Sequence, residues 1–261
     1  MKGYVQLQAE GWTFALVPEL AEAAFVSWCS LPRGFYPAGV VAVVSSGNTE
    51  VRRFGHHGQN YFLKEYFFLG WKKHLKLFRR GERLVRVARL LSEHGFLTPS
   101  VVAFGRCRGN RRVVTEAVEN VLDVWQVLFP DFKQHRGEVN DGFLHALGCE
   151  VGKFHRCGFF HGDLRWRNVL TRLDPDGWKF YFIDNDRTRR FKLGIPLHCR
   201  TKNLAQILFS GLLVNWPPSE WQMFLRGYFE HAGLPRASQS KLTCAVEAKA
   251  RQRLAERRKG S

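Results

Sequence analysis

A short polar loop followed by a hairpin most constrains what this chain can fold into. Phe159-Phe160-His161-Gly162-Asp163-Leu164-Arg165-Trp166-Arg167-Asn168-Val169-Leu170 sets a carboxylate and an amide between apolar flanks. It leads into a hairpin with the turn Asp174-Pro175-Asp176-Gly177. In such a turn proline presets φ and glycine supplies the positive φ that other residues avoid. The return strand, Trp178–Ile183, ends on Asp184-Asn185-Asp186-Arg187. A second carboxylate therefore stands just past a strand, downstream of the first.

The segments around this stretch change character along the chain. Residues 1–35 read as a short strand and loop region with an apolar patch at Phe25, Val26 and Trp28. Gly39–Val44 is rich in valine and reads as a buried strand. Ser45-Ser46-Gly47-Asn48-Thr49 is a turn-forming cluster, followed by strands over Glu50–Phe54 and Tyr61–Tyr66 with another turn, His57-Gly58-Gln59, between them. Trp71 to about Glu93 reads as a helix with a basic polar side and a possible break at Gly81. Strands are expected at Val101–Cys107 and Arg112–Ala117, then helices near Val121–Phe129 and Gly142–His155. After Arg200 the chain reads as helices ending in a basic tail, Lys249–Lys259. The order predicts an α+β, two-lobe fold with a small β-rich N-lobe over residues 1–117 and a larger helical C-lobe over 118–261, with a cleft between them.

The polar residues in this frame are those phosphoryl transfer requires: groups that hold nucleotide phosphates, offset their charge and aim an acceptor hydroxyl. His161-Gly162-Asp163 with Asn168 matches the catalytic-loop pattern H-x-D-x-x-x-x-N, and Asp184 stands where the metal-binding Asp of D-F-G stands. Lys64 lies in the third N-terminal strand, and Glu82 lies on the next helix, within reach of it if that helix is unbroken at Gly81. Gly47 lies in the loop where a phosphate-covering turn belongs, with one glycine where the full motif has three. Thr115-Glu116-Ala117 occupies the expected hinge, where the backbone of Glu116 and Ala117 would meet adenine. His161 is expected to hold the loop by hydrogen bonds, and Asp186 to bind metal or to pair with an arginine such as Arg187.

On these residues the chain resembles the bacterial lipopolysaccharide kinase family, within the protein-kinase-like superfamily. The carrying pieces are Phe62-Leu63-Lys64-Glu65-Tyr66, Gly81-Glu82-Arg83, Gly95-Phe96-Leu97-Thr98-Pro99, His161 through Leu170, Ile183 through Arg187, and Asn203-Leu204-Ala205-Gln206. The resemblance spans roughly Ser45 to Ser210. It implies a kinase-like fold, ATP and Mg2+, and an acceptor hydroxyl on a Kdo or heptose sugar of the inner core. It further implies Asp163 as catalytic base, Asn168 and Asp184 as metal ligands, Lys64 as phosphate ligand and Glu82 as its positioning partner. Asn185 departs from the family's usual aromatic, and no A-P-E segment or activation loop follows Asp184, which argues against a regulated protein kinase.

Charge narrows the partners. A net charge of +17 favours anionic ones. The lipopolysaccharide core, a lipid A precursor and the anionic inner-membrane surface all fit, and nothing resembles a motif that reads nucleic acid. The N-terminus has no long apolar run and no stretch suits a membrane span, so a cytoplasmic enzyme, peripheral on the inner membrane, is expected. Six scattered cysteines form no metal-binding pairs and read as reduced thiols. Two other readings stay open at this point: a kinase-fold enzyme acting on a protein or small molecule, and a non-catalytic basic binder on a kinase scaffold.

Overall fold

The computed structural model describes residues 3–46, 49–67, 80–128 and 141–259. The chain divides into two compact units, one of Met1–Leu90 with Pro99–Glu119, the other of Leu91–Thr98 with Asn120–Ser261.

The first unit is built on a seven-stranded antiparallel sheet: β1 (Val5–Ala9), β2 (Trp12–Leu16), β3 (Val40–Ser46), β4 (Thr49–His56), β5 (Gln59–Tyr66), β6 (Val101–Cys107) and β7 (Asn110–Glu116). Their order across the sheet is β1-β2-β6-β7-β5-β4-β3. The β4–β5 hairpin turns on His57-Gly58, both at positive φ (47° and 75°). That is the backbone whose twist suits a two-residue hairpin loop. Residues 1–38 thus belong to this unit, since β2 pairs with β6 and extends the sheet by a hairpin.

Two expectations change here. Gly39–Val44 is a strand but not a buried one: β3 is an edge strand, paired among the described residues to β4 alone, and Val41, Val43 and Val44 are exposed. A valine run of this length reads alike at an edge and in a sheet centre, because periodicity does not report the number of neighbours. The helix expected from Trp71 is described from Arg80 as α2 (Arg80–Glu93), with Gly81 in its first turn. Residues 71–79 of that expectation lie outside the described residues.

One sheet face carries the core. Phe14, Leu16, Phe54, Tyr61, Leu63 and Val114 pack there with Phe25 and Cys29 of α1 (Ala23–Ser30). At the end of α1 the apolar core gives way to buried charge. Glu65 accepts from Arg52 at 3.0 Å and from Arg112 at 2.8 Å. Arg112 also donates to the Cys29 and Leu31 carbonyls, and Arg52 to those of Leu31 and Pro32. A helix leaves its last carbonyls unpaired. Two guanidiniums satisfy this end of α1, and two buried carboxylates balance them: Glu65, and Glu50 at 3.3 Å from Arg52 Nε.

In the second unit, α4 (Asp141–Arg156) packs against α6 (Pro218–His231) at backbone contact. A Cβ at Gly227 would lie 2.1 Å from the His145 carbonyl oxygen, so that position admits only glycine without moving a helix. A second helix pair joins α5 (Leu197–Leu212) and α7 (Arg236–Lys259). The hairpin β10 (Val169–Asp174) and β11 (Gly177–Phe182) forms as expected, with β8 (Leu122–Asp123) added beside β10. The helix expected from Val121 begins later, as α3 (Val124–Leu128). Asp123 caps it: its carboxylate accepts from Gln126 N–H at 2.7 Å while Gln126 Oε1 accepts from Asp123 N–H at 2.9 Å, a reciprocal capping box. A short ladder of β9 (Phe159–Phe160) with β12 (Arg189–Arg190) frames the loop between them.

Candidate active site

The loop after β9 is anchored by its apolar residues, Leu164 and Trp166, which are fully buried. That anchoring leaves the alternating polar residues Asp163, Arg165 and Arg167 at the surface of the unit. Asp163 is partly exposed, and its side chain has two donors: Arg165 Nε at 2.8 Å and Gln206 Nε2 at 3.0 Å, both to Oδ1. Asn168 turns its amide nitrogen back onto the Asp163 carbonyl at 2.8 Å. That bond uses the donor end of the amide and leaves Asn168 Oδ1 as an acceptor. Ile183 N–H donates to the Asn168 carbonyl at 3.0 Å, so the backbone just before Asp184 is tied to Asn168. Asp184 is in the left-handed region (φ 56°, ψ 46°) and exposed. Aspartate is among the few non-glycine residues that tolerate this region, at some cost in strain. The structure therefore brings Asp163, Asn168 and Asp184 to one place.

Beneath them lies a buried polar chain. His161 Nε2–H donates to the Ile183 carbonyl at 2.9 Å, and Nδ1 accepts from Asp163 N–H at 3.4 Å. Both nitrogens are committed and burial holds the imidazole below its usual pKa, so His161 is a neutral strut between the loop and the strand that ends at Asp184. The expected structural role fits this geometry. Asn203 Oδ1 accepts from His161 N–H and from His155 Nε2–H, both at 3.2 Å. His155 Nδ1 in turn accepts from the Tyr228 hydroxyl, whose oxygen accepts from Arg200. Burial, and then the Arg200 charge, push His155 down to about 3. Gln206 closes the chain: Oε1 accepts from Leu164 N–H at 3.1 Å while Nε2 donates to Asp163.

Asn203 and Gln206 carry no assigned role in the sequence reading, although their run is part of the resemblance. The available signal was their position. Asn203, Gln206 and Ser210 are buried on α5 among Leu204, Ile207 and Leu208, so polar side chains sit on an inward face and need partners. Asn185 is similar. Where the family pattern has an aromatic, the buried amide donates to Thr98 Oγ1 at 3.0 Å and to the Phe182 carbonyl at 2.8 Å, and accepts from Thr188 Oγ1 at 2.9 Å. Hydrogen bonds replace packing as the fastening of this turn.

Two oxygen donors of hard character, the Asp184 carboxylate and the Asn168 amide oxygen, suit an oxygen-seeking divalent cation that keeps most of its water or phosphate ligands. The nearby histidine offers no free nitrogen, which sets aside a softer metal.

In the first unit, Lys64 is half-buried on β5 between Val51 and Val113, with Nζ 5.3 Å from the Tyr66 ring. Tyr66 packs on Leu84 of α2, so that helix covers the Lys64 face. Glu82 is exposed, roughly 200° around the helix from Leu84, the residue that packs on Tyr66, at 3.6 residues per turn. At the expected hinge, β7 runs on beside β5 to Glu116. Glu116 N–H donates to the Ser100 carbonyl and Ala117 N–H to the Asn60 carbonyl, so both expected adenine donors are spent inside the unit. Gly47 lies outside the described residues.

The profile of the lipopolysaccharide kinase (Kdo/WaaP) family matches residues 74–228. The chain is 26% identical over 190 residues to lipopolysaccharide core heptose(I) kinase WaaP of Pseudomonas aeruginosa, covering 66% of this chain and 70% of that one. It is 27% identical over 131 residues to 3-deoxy-D-manno-octulosonic acid kinase of Pasteurella multocida, covering 49% of this chain and 51% of that one. Among solved structures it is similar to WaaP in complex with acyl carrier protein, at 24% identity and a TM-score of 0.60, over 81% of this chain and 87% of that one. With the profile matched over more than half its length, the chain belongs to the lipopolysaccharide kinase (Kdo/WaaP) family and has its protein-kinase-like fold.

Proposed function

We propose that this protein transfers the γ-phosphoryl group of ATP to a hydroxyl of a Kdo or heptose sugar in the lipopolysaccharide inner core. The observation that carries the reading is the convergence of Asp163, Asn168 and Asp184, braced from the buried side by His161, Asn203 and Gln206.

Asp163 is the base. Its Oδ1 is held by Gln206 and Arg165, which leaves the other carboxylate oxygen to accept the proton of the acceptor hydroxyl. As that hydroxyl oxygen bonds to the γ-phosphorus, the bond to the β,γ-bridging oxygen breaks and ADP leaves. Asn168 and Asp184 would hold Mg2+, which offsets charge on the phosphate oxygens when bound. Lys64 would contact the phosphates. The adenine contacts fall to backbone beyond Ala117, since the N–H groups of Glu116 and Ala117 are already used. Glu82 has no part in this reading, given its exposure.

The enzyme works from the cytoplasmic face of the inner membrane as a peripheral protein. No helix among the described residues is long and apolar enough to cross a membrane. The net charge of +17 supports attraction to an anionic leaflet, where each basic residue near the surface contributes about 1 kcal/mol.

The test is phosphate transfer by purified protein from ATP, with magnesium, to deacylated inner-core oligosaccharides, the product sugar being identified by mass spectrometry. A phosphorylated Kdo or heptose is expected. Failure on every such acceptor, or transfer to a protein instead, would overturn the proposal.

A further inference from the structure

The basic C-terminal helix has a face that the proposed chemistry has not used. Along α7, Leu242, Val246 and Ala250 are buried and repeat at helical spacing, forming the stripe that packs toward α5. The next positions of that stripe are Arg253 and Arg257. They line a solvent-open cavity of about 300 Å³ together with Arg165, Gln206, Phe209 and Glu256. The Arg253 guanidinium lies 5.5 Å from the centre of the Phe209 ring, which steers it along the α5 surface.

Two walls of this cavity are one side chain from the proposed base. Arg165 and Gln206 both line it, and both donate to Asp163 Oδ1. Phe209 lies one helical turn beyond Gln206 on α5, so the cavity continues from Asp163 toward α7. Three guanidiniums against one lining carboxylate make it cationic. Guanidinium forks match the two-oxygen edge of a carboxylate or a phosphate. A basic helix serving only for attraction to a membrane would present its arginines outward. Arg251 and Arg258 do so, whereas Arg253 is half-buried and Arg257, though exposed, continues the same stripe and lines the cavity.

We infer that Arg253 and Arg257 of the C-terminal helix, with Arg165, form the acceptor subsite, binding a carboxylate or phosphate monoester carried by the acceptor glycan and so delivering a nearby hydroxyl to Asp163. This rests on the proposed sugar-kinase activity. Glu256 accepts from Gln252 at 2.8 Å and opposes an anion in the same cavity.

The experiment measures transfer to deacylated inner-core oligosaccharide at saturating ATP and magnesium. Arg253→Gln and Arg257→Gln should each raise the acceptor KM roughly 10- to 100-fold, the scale of a lost charge-assisted hydrogen bond, with a smaller change in kcat. Arg253→Lys should recover part of the loss. Glu256→Gln should lower the acceptor KM, a gain that misfolding cannot imitate. Reducing the glycan carboxylates to alcohols, or removing its phosphates enzymatically, identifies the anion: whichever treatment abolishes the difference between wild type and Arg253→Gln names it. Binding of the same glycan by calorimetry, with a non-hydrolysable ATP analogue present, gives a second readout that needs no turnover. An unchanged acceptor KM in both arginine variants overturns the subsite and leaves the sugar-kinase reading standing. So does an equal loss in Arg251→Gln/Arg258→Gln, which would mean that bulk charge is responsible. Wild-type protein that neither phosphorylates nor binds any core glycan overturns both.

Discussion

Replacing Gln206 by alanine would separate the bracing of the base from the base itself. Gln206 is buried and makes three hydrogen bonds: to Asp163 Oδ1 (3.0 Å), from Leu164 N–H (3.1 Å) and from Asn203 Nδ2 (3.3 Å). Its loss removes a bond to a charged acceptor, worth about 1.5–3 kcal/mol, and strands the buried Leu164 N–H, at about 1–3 kcal/mol. Partial relaxation and water entry offset some of this, so a net loss of about 2–4 kcal/mol is expected. For a chain of this size that is a fall in melting temperature of roughly 5–15 °C. The other donor to Asp163, Arg165, is exposed, and an exposed ion pair contributes at most about 1 kcal/mol. Arg165→Ala should therefore melt close to wild type. Activity follows the same logic: a base displaced by an ångström costs about 100-fold in rate, so kcat of Gln206→Ala should fall roughly 10- to 100-fold. Thermal unfolding by circular dichroism and steady-state kinetics read both effects. Wild-type melting and wild-type kcat in Gln206→Ala would refute the assignment of Gln206 as the brace of Asp163.

Other consequences follow from the same structure. Glu65→Gln should destabilise the protein by about 3–5 kcal/mol, read from denaturant unfolding, because it removes the carboxylate paired with the buried Arg112 and leaves Arg52 with Glu50 alone. Acid should destabilise the fold through His155, whose pKa is depressed to about 3 in the native state against about 6.5 when unfolded. The unfolded chain takes up the extra proton, so this contribution is complete above about pH 6.5 and is lost below it at up to about 1.4 kcal/mol per pH unit. His155→Gln should flatten that part of the urea midpoint measured from neutral pH to pH 4.5, and an unchanged slope would exclude the group. Asp184→Ala should remove the magnesium dependence of nucleotide binding in calorimetry while leaving the melting temperature near that of wild type.

The parts legible in the sequence were those with local chemistry. The β4–β5 and β10–β11 hairpins announce themselves through His57-Gly58 and Asp174-Pro175-Asp176-Gly177, where backbone geometry restricts residue choice. The grouping of Asp163, Asn168 and Asp184 was legible because their spacing around one loop and one hairpin is itself the constraint. What was not legible depends on distant partners. β1, Val5-Gln6-Leu7-Gln8-Ala9, alternates as a strand should, but nothing local says that it forms the lightly buried edge of the main sheet. Glu65 shares its strand face with Tyr61 and Leu63, so alternation already implied a buried carboxylate. Only the fold shows that Arg52 and Arg112, from strands on either side, meet it. Glu82 shows the reach of a local reading: a helix placed after a strand lysine does not fix which way its glutamate turns, and Glu82 is exposed.

The central claim, that Asp163 serves transfer to an inner-core sugar, is most directly tested by mass spectrometry of core oligosaccharide from a strain lacking this protein, complemented with wild type or with Asp163→Asn. Wild type should restore one phosphate on a Kdo or heptose residue, and Asp163→Asn, expressed at equal level, should not. An inner core phosphorylated alike in both complemented strains, or unaltered by the deletion, would contradict it.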